Sequence, residues 1–234
     1  MATRAERCPP DPGRPPAVRR ARAERVEQIL GAAREMFCEK GYAQTAVSEI
    51  AARVGVVEGL VFKYFPSKRA LLLEVLVRWY DTLFDSCSRE LAALASPGER
   101  LRRVIGRHLS AIEANPLLCR LMFLEVRSEH DYRGSQLHAH NRRYTELLIG
   151  VLEQGIAAGE FRSDLPLPLL RDLVYGGIEH LSWNYICGRG TLDVDTLTGQ
   201  LLSLVLDGIA VPPPAPTAAV AAAPRTPRRR TRTP

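Results

Sequence analysis

The stretch Thr45-Ala46-Val47-Ser48-Glu49-Ile50-Ala51-Ala52-Arg53-Val54-Gly55-Val56-Val57-Glu58-Gly59-Leu60-Val61-Phe62-Lys63-Tyr64-Phe65 reads as two short helices joined at Gly55, the layout of a helix-turn-helix. Ile50, Ala51 and Val54 recur at helical spacing and give the first helix one apolar side, while Gly55 can take the left-handed backbone that a tight turn requires. Val61, Phe62 and Phe65 anchor the second helix. In such a unit the second helix enters the major groove of duplex DNA. The motif therefore predicts a DNA-binding protein, although two amphipathic helices that merely pack together would show the same spacing.

The flanks extend this reading. Upstream, Val26, Ile29, Leu30, Ala33 and Phe37 fall three and four apart, so one buried stripe braces the motif from about Arg20 to Gly41. The prolines at 9, 10, 12, 15 and 16 argue against a helix in residues 1–19, which read as a disordered basic arm. Downstream, Leu71, Leu72, Val75, Leu76, Trp79, Leu83 and Phe84 continue without a breaker from Lys68 to about Ala95, predicting a rod that links two domains. Ser96-Pro97-Gly98-Glu99 is a helix start, with a capping serine, a proline at the first helical position and a glutamate three residues on. Asn115-Pro116 repeats the device.

A break near Arg133-Gly134 precedes a helix from about Ser135 to Gly159; two more follow, at Leu167–Ile186 and Asp195–Ile209. The expected fold is all-α with about nine helices. A helix-turn-helix domain of three helices spans 20–68, a helical ligand-binding and dimerisation bundle spans 69–211, and a disordered Pro/Ala/Arg-rich tail fills 212–234.

The net charge of +6 resembles a nucleic-acid signature until it is divided along the chain. The first 22 residues carry six Arg against Glu6 and Asp11, and residues 212–234 carry five Arg and no acid. Residues 23–68 hold six basic and six acidic side chains, so the motif region is neutral and bulk basicity does not identify it. Cys8, Cys38, Cys87, Cys119 and Cys187 are scattered, with no Cys-x-x-Cys pair and no zinc-finger histidine spacing, and read as reduced thiols. No run approaches the roughly 18 apolar residues of a membrane span, and the amino terminus has no apolar signal-peptide core. A cytoplasmic location is the expectation, with no membrane partner and no cofactor.

Read with its flanks, the motif resembles the DNA-binding domain of the TetR family of one-component repressors. The elements that carry the likeness are Ile29-Leu30-Gly31-Ala32-Ala33, Phe37, Gly41-Tyr42, Thr45, Ile50-Ala51, Gly55-Val56, Gly59, Tyr64-Phe65 and Ser67-Lys68. Two positions depart from the pattern: Val57 stands where serine is usual, and Leu60 where a small or hydroxylated residue is usual. The resemblance implies that Thr45 caps the first motif helix, with the amide of Ala46 among those that can face a phosphate. It makes Tyr64 and Lys68 further phosphate contacts and puts Glu58, Gly59, Leu60 and Lys63 at base edges. Core packing is the alternative for Leu60 and is the favoured role for Phe62. Val57 removes the hydroxyl that would cap the recognition helix, a loss worth about 0.5–2 kcal/mol. Arg14, Arg19, Arg20 and Arg22 are then candidates to compensate through phosphate or minor-groove contacts, against the reading of a solvated tail.

In the downstream bundle, Met122, Phe123, Tyr175, Glu179 and Trp183 are candidate ligand-binding residues, the last three spaced by four along one helix; ordinary core packing is the alternative. His138 and His140 are expected to face solvent, and Glu125, Arg127, Glu129, Asp131 and Arg133 to form a surface ion-pair face. Gly176-Gly177 weakens an apolar helix, which close approach by another helix would offset, so the final two helices are the expected homodimer interface. The regulatory half, through Leu124-Glu125-Val126-Arg127, Gly159-Glu160-Phe161-Arg162-Ser163-Asp164 and Gly176-Gly177-Ile178-Glu179, looks like the FadR-type branch, whose members answer to fatty acyl-CoA. Spacing does not assign Arg120, Arg127 or Arg142 to its phosphates.

Together these features predict a dimeric transcriptional regulator, a repressor that binds a palindromic operator and leaves it when a small hydrophobic effector, an acyl-CoA among the candidates, is bound. The rival is a helical architectural protein that coats DNA nonspecifically through its arginine-rich tails. No catalytic motif supports an enzyme.

Overall fold

The computed structural model describes residues 16–210, with side-chain surroundings from residue 20 onward. The basic arm before Pro16, with Arg14, and the tail after Ala210 lie outside the described residues, as does the side chain of Arg19. Among the described residues there are nine α-helices, one π-helical segment and no strand. They run α1 Pro16–Lys40, α2 Val47–Val54, α3 Glu58–Tyr64, α4 Lys68–Ala92, α5 Pro97–Ala114, α6 Pro116–Leu121, the π-segment Met122–Arg127, α7 Gln136–Ala157, α8 Leu167–Ile186 and α9 Val194–Ile209. None is long and apolar enough to cross a membrane.

The helix α1 begins at Pro16 and not near Arg20. Its leading proline has no N–H to satisfy and a φ already suited to the first turn, so it starts the helix that the upstream prolines were expected to delay. The α1 stripe is buried as expected through Ile29, Leu30, Ala33 and Phe37, and it packs on α2 and α4. Gly55 ends α2 with φ 72°, and its N–H bonds back to the helix carbonyls. Serines fix three starts: Ser67 Oγ accepts from Ala70 N–H at 3.0 Å, Ser96 Oγ from Glu99 N–H at 3.5 Å and Ser135 Oγ from His138 N–H at 3.1 Å.

Asn115 does not cap α6. Its Oδ1 accepts from Arg34 on α1 at 2.6 Å while its Nδ2 donates to Ala111 O, so it ties the DNA-side helices to the bundle. The bundle core forms where α4, α5 and α7 pack, with α8 and α9 against α5; Leu71, Leu76, Leu101, Ile105, Leu109, Tyr144 and Leu148 are sealed inside. At one end Phe161 seats its ring on Gly155 and pairs antiparallel with Ala210, and Arg162 N–H donates to Ile209 O at 2.8 Å. The end of α9 is thereby pinned to the α7–α8 loop.

Among the described residues, no atom of another helix lies within contact distance of either missing Cβ of Gly176-Gly177, so the expected close approach is not made by them. Both glycines instead stand open, Gly176 at the edge of a cleft lined by α7 and α8 and Gly177 on a face of α8 that also carries exposed Leu169, Leu173 and Leu181, with exposed Leu204 on α9.

Candidate nucleic-acid interface and effector cleft

The exposed face of α3 presents Glu58, Gly59, Phe62 and Lys63, with Val57 at its amino end 75% exposed. Val61 and Phe65 turn inward, whereas Phe62 is 42% exposed. The expected core role of Phe62 is corrected: residues 61, 62 and 65 cannot share one face at 100° per residue, and 61 with 65 take the inner one. Leu60 is half-buried. Val57 is extended and offers no side-chain cap to α3, as its chemistry dictates.

Thr45 does not cap α2. The residue is 1% exposed, and its Oγ1 donates to Met36 O at 3.1 Å and Gly41 O at 2.8 Å, closing the end of α1. The cap position belongs to Ala46, whose N–H is taken by the Glu49 carboxylate at 3.1 Å, itself paired with Lys40 at 2.6 Å. Lys68 is engaged within the chain as well. Its ammonium donates to Tyr42 O at 2.9 Å, Thr45 O at 3.1 Å and Ala43 O at 3.3 Å, and sits 4.6 Å from the centre of the Tyr42 ring. An ammonium has three donors, and these carbonyls use them all. Tyr64 is half-buried with the Arg22 guanidinium 5.6 Å from its ring centre, so the fold brings Arg22 to the carboxyl end of α3.

The second site is a cleft of about 420 Å³ at the meeting of α7, α8 and the segment after α6. Its lining includes Arg127, Arg133, Arg142 and Arg171 against the carboxylates of Asp172 and Glu179, with Tyr132, Asn141 and Tyr175. Arg127 pairs with Glu179 at 2.5 Å, and Glu146 takes both Arg142 at 2.8 Å and Arg171 at 2.7 Å. Arg133 makes no ion pair among the described residues. Buried Arg171 is held flat by Glu146 on one side and Asp172 on the other. The tyrosine hydroxyl of residue 175 is pushed well above its ordinary pKa by burial, so it is a neutral hydrogen-bonding group.

Of the expected ligand residues, Tyr175 and Glu179 line this cleft. Met122 is buried in the core, and Phe123 lies outside the cleft against Trp183, ring centres 6.3 Å apart. Trp183 is 38% exposed. Eight residues at 1.5 Å each carry Trp183 about 12 Å along α8 from Tyr175, past the end of the cleft. Arg127 and Arg142 do line it, and Arg120 does not. The signal that could have found Arg171 is its place in an apolar helical run, where a guanidinium needs carboxylate partners. The expected surface ion-pair face dissolves into long-range bonds: Arg69 at the start of α4 donates to Asp131 at 3.0 Å and to Glu125 O at 3.2 Å. Nor are the two histidines free in solvent, since His138 Nδ1 accepts from Gly134 N–H and His140 Nδ1 lies 2.7 Å from Asp81.

A groove-sized helix displayed on a three-helix motif, joined by one long helix to a bundle with a charged cleft, defines a helix-turn-helix transcriptional regulator. Residues 29–75 match the family described as "Bacterial regulatory proteins, tetR family", and residues 78–208 match "YsiA-like protein, C-terminal region". The chain belongs to the TetR family. It is 32% identical over 193 residues to the HTH-type transcriptional repressor KstR2 of Rhodococcus jostii (strain RHA1), covering 80% of this chain and 92% of the relative. It is 28% identical over 182 residues to the fatty acid metabolism regulator protein of Bacillus subtilis (strain 168), covering 78% and 94%. A crystal structure of FadR from Bacillus subtilis in complex with stearoyl-CoA superposes with a TM-score of 0.70 at 28% identity, over 78% of this chain and 98% of that one. Family membership sets aside the nonspecific DNA-coating alternative.

Proposed function

We propose that the chain is a homodimeric repressor that binds a palindromic operator in the cytoplasm and is released by an acyl-CoA. In this reading residues 20–68 bind DNA, with Glu58, Gly59, Leu60 and Lys63 at base edges and Ala46, Val57, Tyr64 and Arg22 beside the backbone. Residues 69–211 dimerise and bind the effector. The observation that carries the effector assignment is a cleft lined by four guanidinium groups, of which Arg133 has no ion pair among the described residues and Arg142 shares Glu146 with Arg171, leaving donors for a phosphate. Two relatives' names bear on the same chemistry, one a fatty acid metabolism regulator and one holding stearoyl-CoA.

The apolar face of Leu169, Leu173, Leu181 and Leu204, with open Gly177, supports a second copy packed on α8 and α9. Two-fold symmetry would then present both α3 helices to an inverted repeat. The path from cleft to DNA runs through the segment that supplies Arg127, Tyr132 and Arg133 to the cleft and Glu125 O and Asp131 to Arg69. Movement of that segment shifts the amino end of α4.

Fluorescence anisotropy on an inverted-repeat operator, with palmitoyl-CoA and free CoA as competitors, tests the proposal. Palmitoyl-CoA should release the DNA. Arg133→Ser with Arg142→Ser should weaken palmitoyl-CoA binding by about tenfold or more, since each charge-assisted hydrogen bond is worth about 1.5–3 kcal/mol. Unchanged affinity in that double variant would remove the cleft from the headgroup role.

A further inference from the structure

Beneath the arginine cleft, three polar atoms are sealed with no hydrogen-bond partner among the described residues: both ring nitrogens of His108 and the hydroxyl of Tyr175. His108 on α5 is half-buried as a residue, but its nitrogens point inward. The imidazole stands edge-on to the Tyr175 ring, centroids 4.7 Å apart at 88°, and the Tyr144 ring lies 5.8 Å away. Tyr175 also lines the cleft, so the charged mouth and the buried imidazole share one wall. Buried polar groups are ordinarily paired, and three orphans side by side mark a place built for a polar guest.

The protonation states narrow the guest. Loss of solvation, with repulsion from Arg127, pushes His108 down to about 4, so the ring is neutral near pH 7 and offers one donor and one acceptor. The Tyr175 hydroxyl is neutral and offers both. A saturated acyl thioester brings only acceptors and leaves the acceptor nitrogen of His108 unpaired. A hydroxyl close to the thioester supplies the missing donor and an additional acceptor.

We infer that His108 and Tyr175 form a subsite for a 3-hydroxyacyl group, the effector being a hydroxyacyl thioester whose phosphates lie among the cleft arginines. The inference rests on the effector reading above and specifies its acyl portion. An oxygen near the thioester fits because Tyr175 both lines the cleft that would hold the phosphates and carries one of the orphaned atoms.

Calorimetric titration of the full chain with palmitoyl-CoA, 3-hydroxypalmitoyl-CoA and free CoA tests it. The hydroxylated thioester should bind about tenfold tighter than palmitoyl-CoA, the discrimination typical of a site built to pair a hydroxyl. Tyr175→Phe, which removes one oxygen, and His108→Leu should each collapse that ratio toward unity. A thermal melt of Tyr175→Phe verifies folding. Equal affinity for the two thioesters, or a preference that survives both substitutions, overturns the subsite and leaves the effector reading standing. Failure of both thioesters to bind removes the two readings together.

Discussion

Replacing Gly155 by alanine tests whether the closure of the bundle depends on the seat that this glycine gives Phe161. A Cβ at residue 155 would lie 2.0, 2.2 and 2.8 Å from three atoms of the Phe161 ring. Carbon atoms rest about 3.5–4.0 Å apart, so the ring must retreat by roughly 1.5–2 Å. Phe161 is buried, and its backbone is bonded to Gly155 O at 3.2 Å and bridged to Ala210, so retreat means leaving the core. Expelling the ring costs about 1.5–3 kcal/mol of burial, and the loosened bridge adds roughly 1. Alanine returns about 0.5–1 kcal/mol of helix propensity. The net is a loss of about 2 kcal/mol, or a melting temperature lower by roughly 4–8 °C for a chain of this size. Gly150→Ala on the same helix meets nothing within 4 Å and is the matched control. It should gain about 0.5–1 kcal/mol from the same propensity term. Thermal and urea unfolding of the two variants at equal protein concentration provides the measurement. If Gly155→Ala were as stable as the wild type, the steric reasoning would fail.

Three further outcomes follow from the sites. Val57→Ser should restore the missing cap of α3 without loss of packing, because Val57 is exposed; operator affinity should rise about fivefold, from roughly 1 kcal/mol, and weaker or unaltered binding in anisotropy would count against that account. Arg69→Ala should leave operator binding close to wild type while palmitoyl-CoA still binds but releases DNA less effectively, by up to the 1–3 kcal/mol typical of coupling; unimpaired release would take Arg69 out of the path. His108 has a folded pKa near 4, below its ordinary 6.5, so the unfolded chain binds the proton more tightly and stability falls as pH drops through 6.5 toward 4. Between pH 7 and pH 5 this one group should remove about 2 kcal/mol in urea unfolding, and His108→Leu should lack that component; identical pH slopes in the two proteins would refute it.

What could be read from sequence was what depends on neighbours along the chain. The bounds of α8, Leu167–Ile186, are those that apolar periodicity and the following Gly188 dictate, and Ser96 and Ser135 cap the helices they precede. The motif itself was legible for the same reason, because Gly55 and the Ile50-Ala51 pair act locally. Thr45 and Asn115 were misread as helix caps, and the intrachain bonds of Lys68, expected as a phosphate contact, were not foreseen, because the fold gives each a distant partner. Met36 O is nine residues from Thr45, Arg34 is 81 from Asn115 and Tyr42 O is 26 from Lys68. The cleft was half legible. Tyr175 and Glu179 share a helix, but the arginines come from separate elements, and no spacing rule relates residue 127 to residue 171. The π-segment gives no apolar period of its own, so it merged with α6 in any reading by pattern.

The three carbonyls that hold the Lys68 ammonium make the α1–α2 turn and the first residue of α4 a single rigid piece. The 25 residues of α4 span about 37 Å, so a tilt of only about 5° carries its amino end roughly 3 Å sideways. With no slack at Lys68, the attached motif inherits that full excursion. In a symmetric pair the excursions add to about 6 Å, nearly two base-pair steps of 3.4 Å. Because Arg69 ties this same end to the segment beside the cleft, a small rearrangement there becomes a mismatch of register, so the protein can let go of DNA without unfolding any part of its reading head.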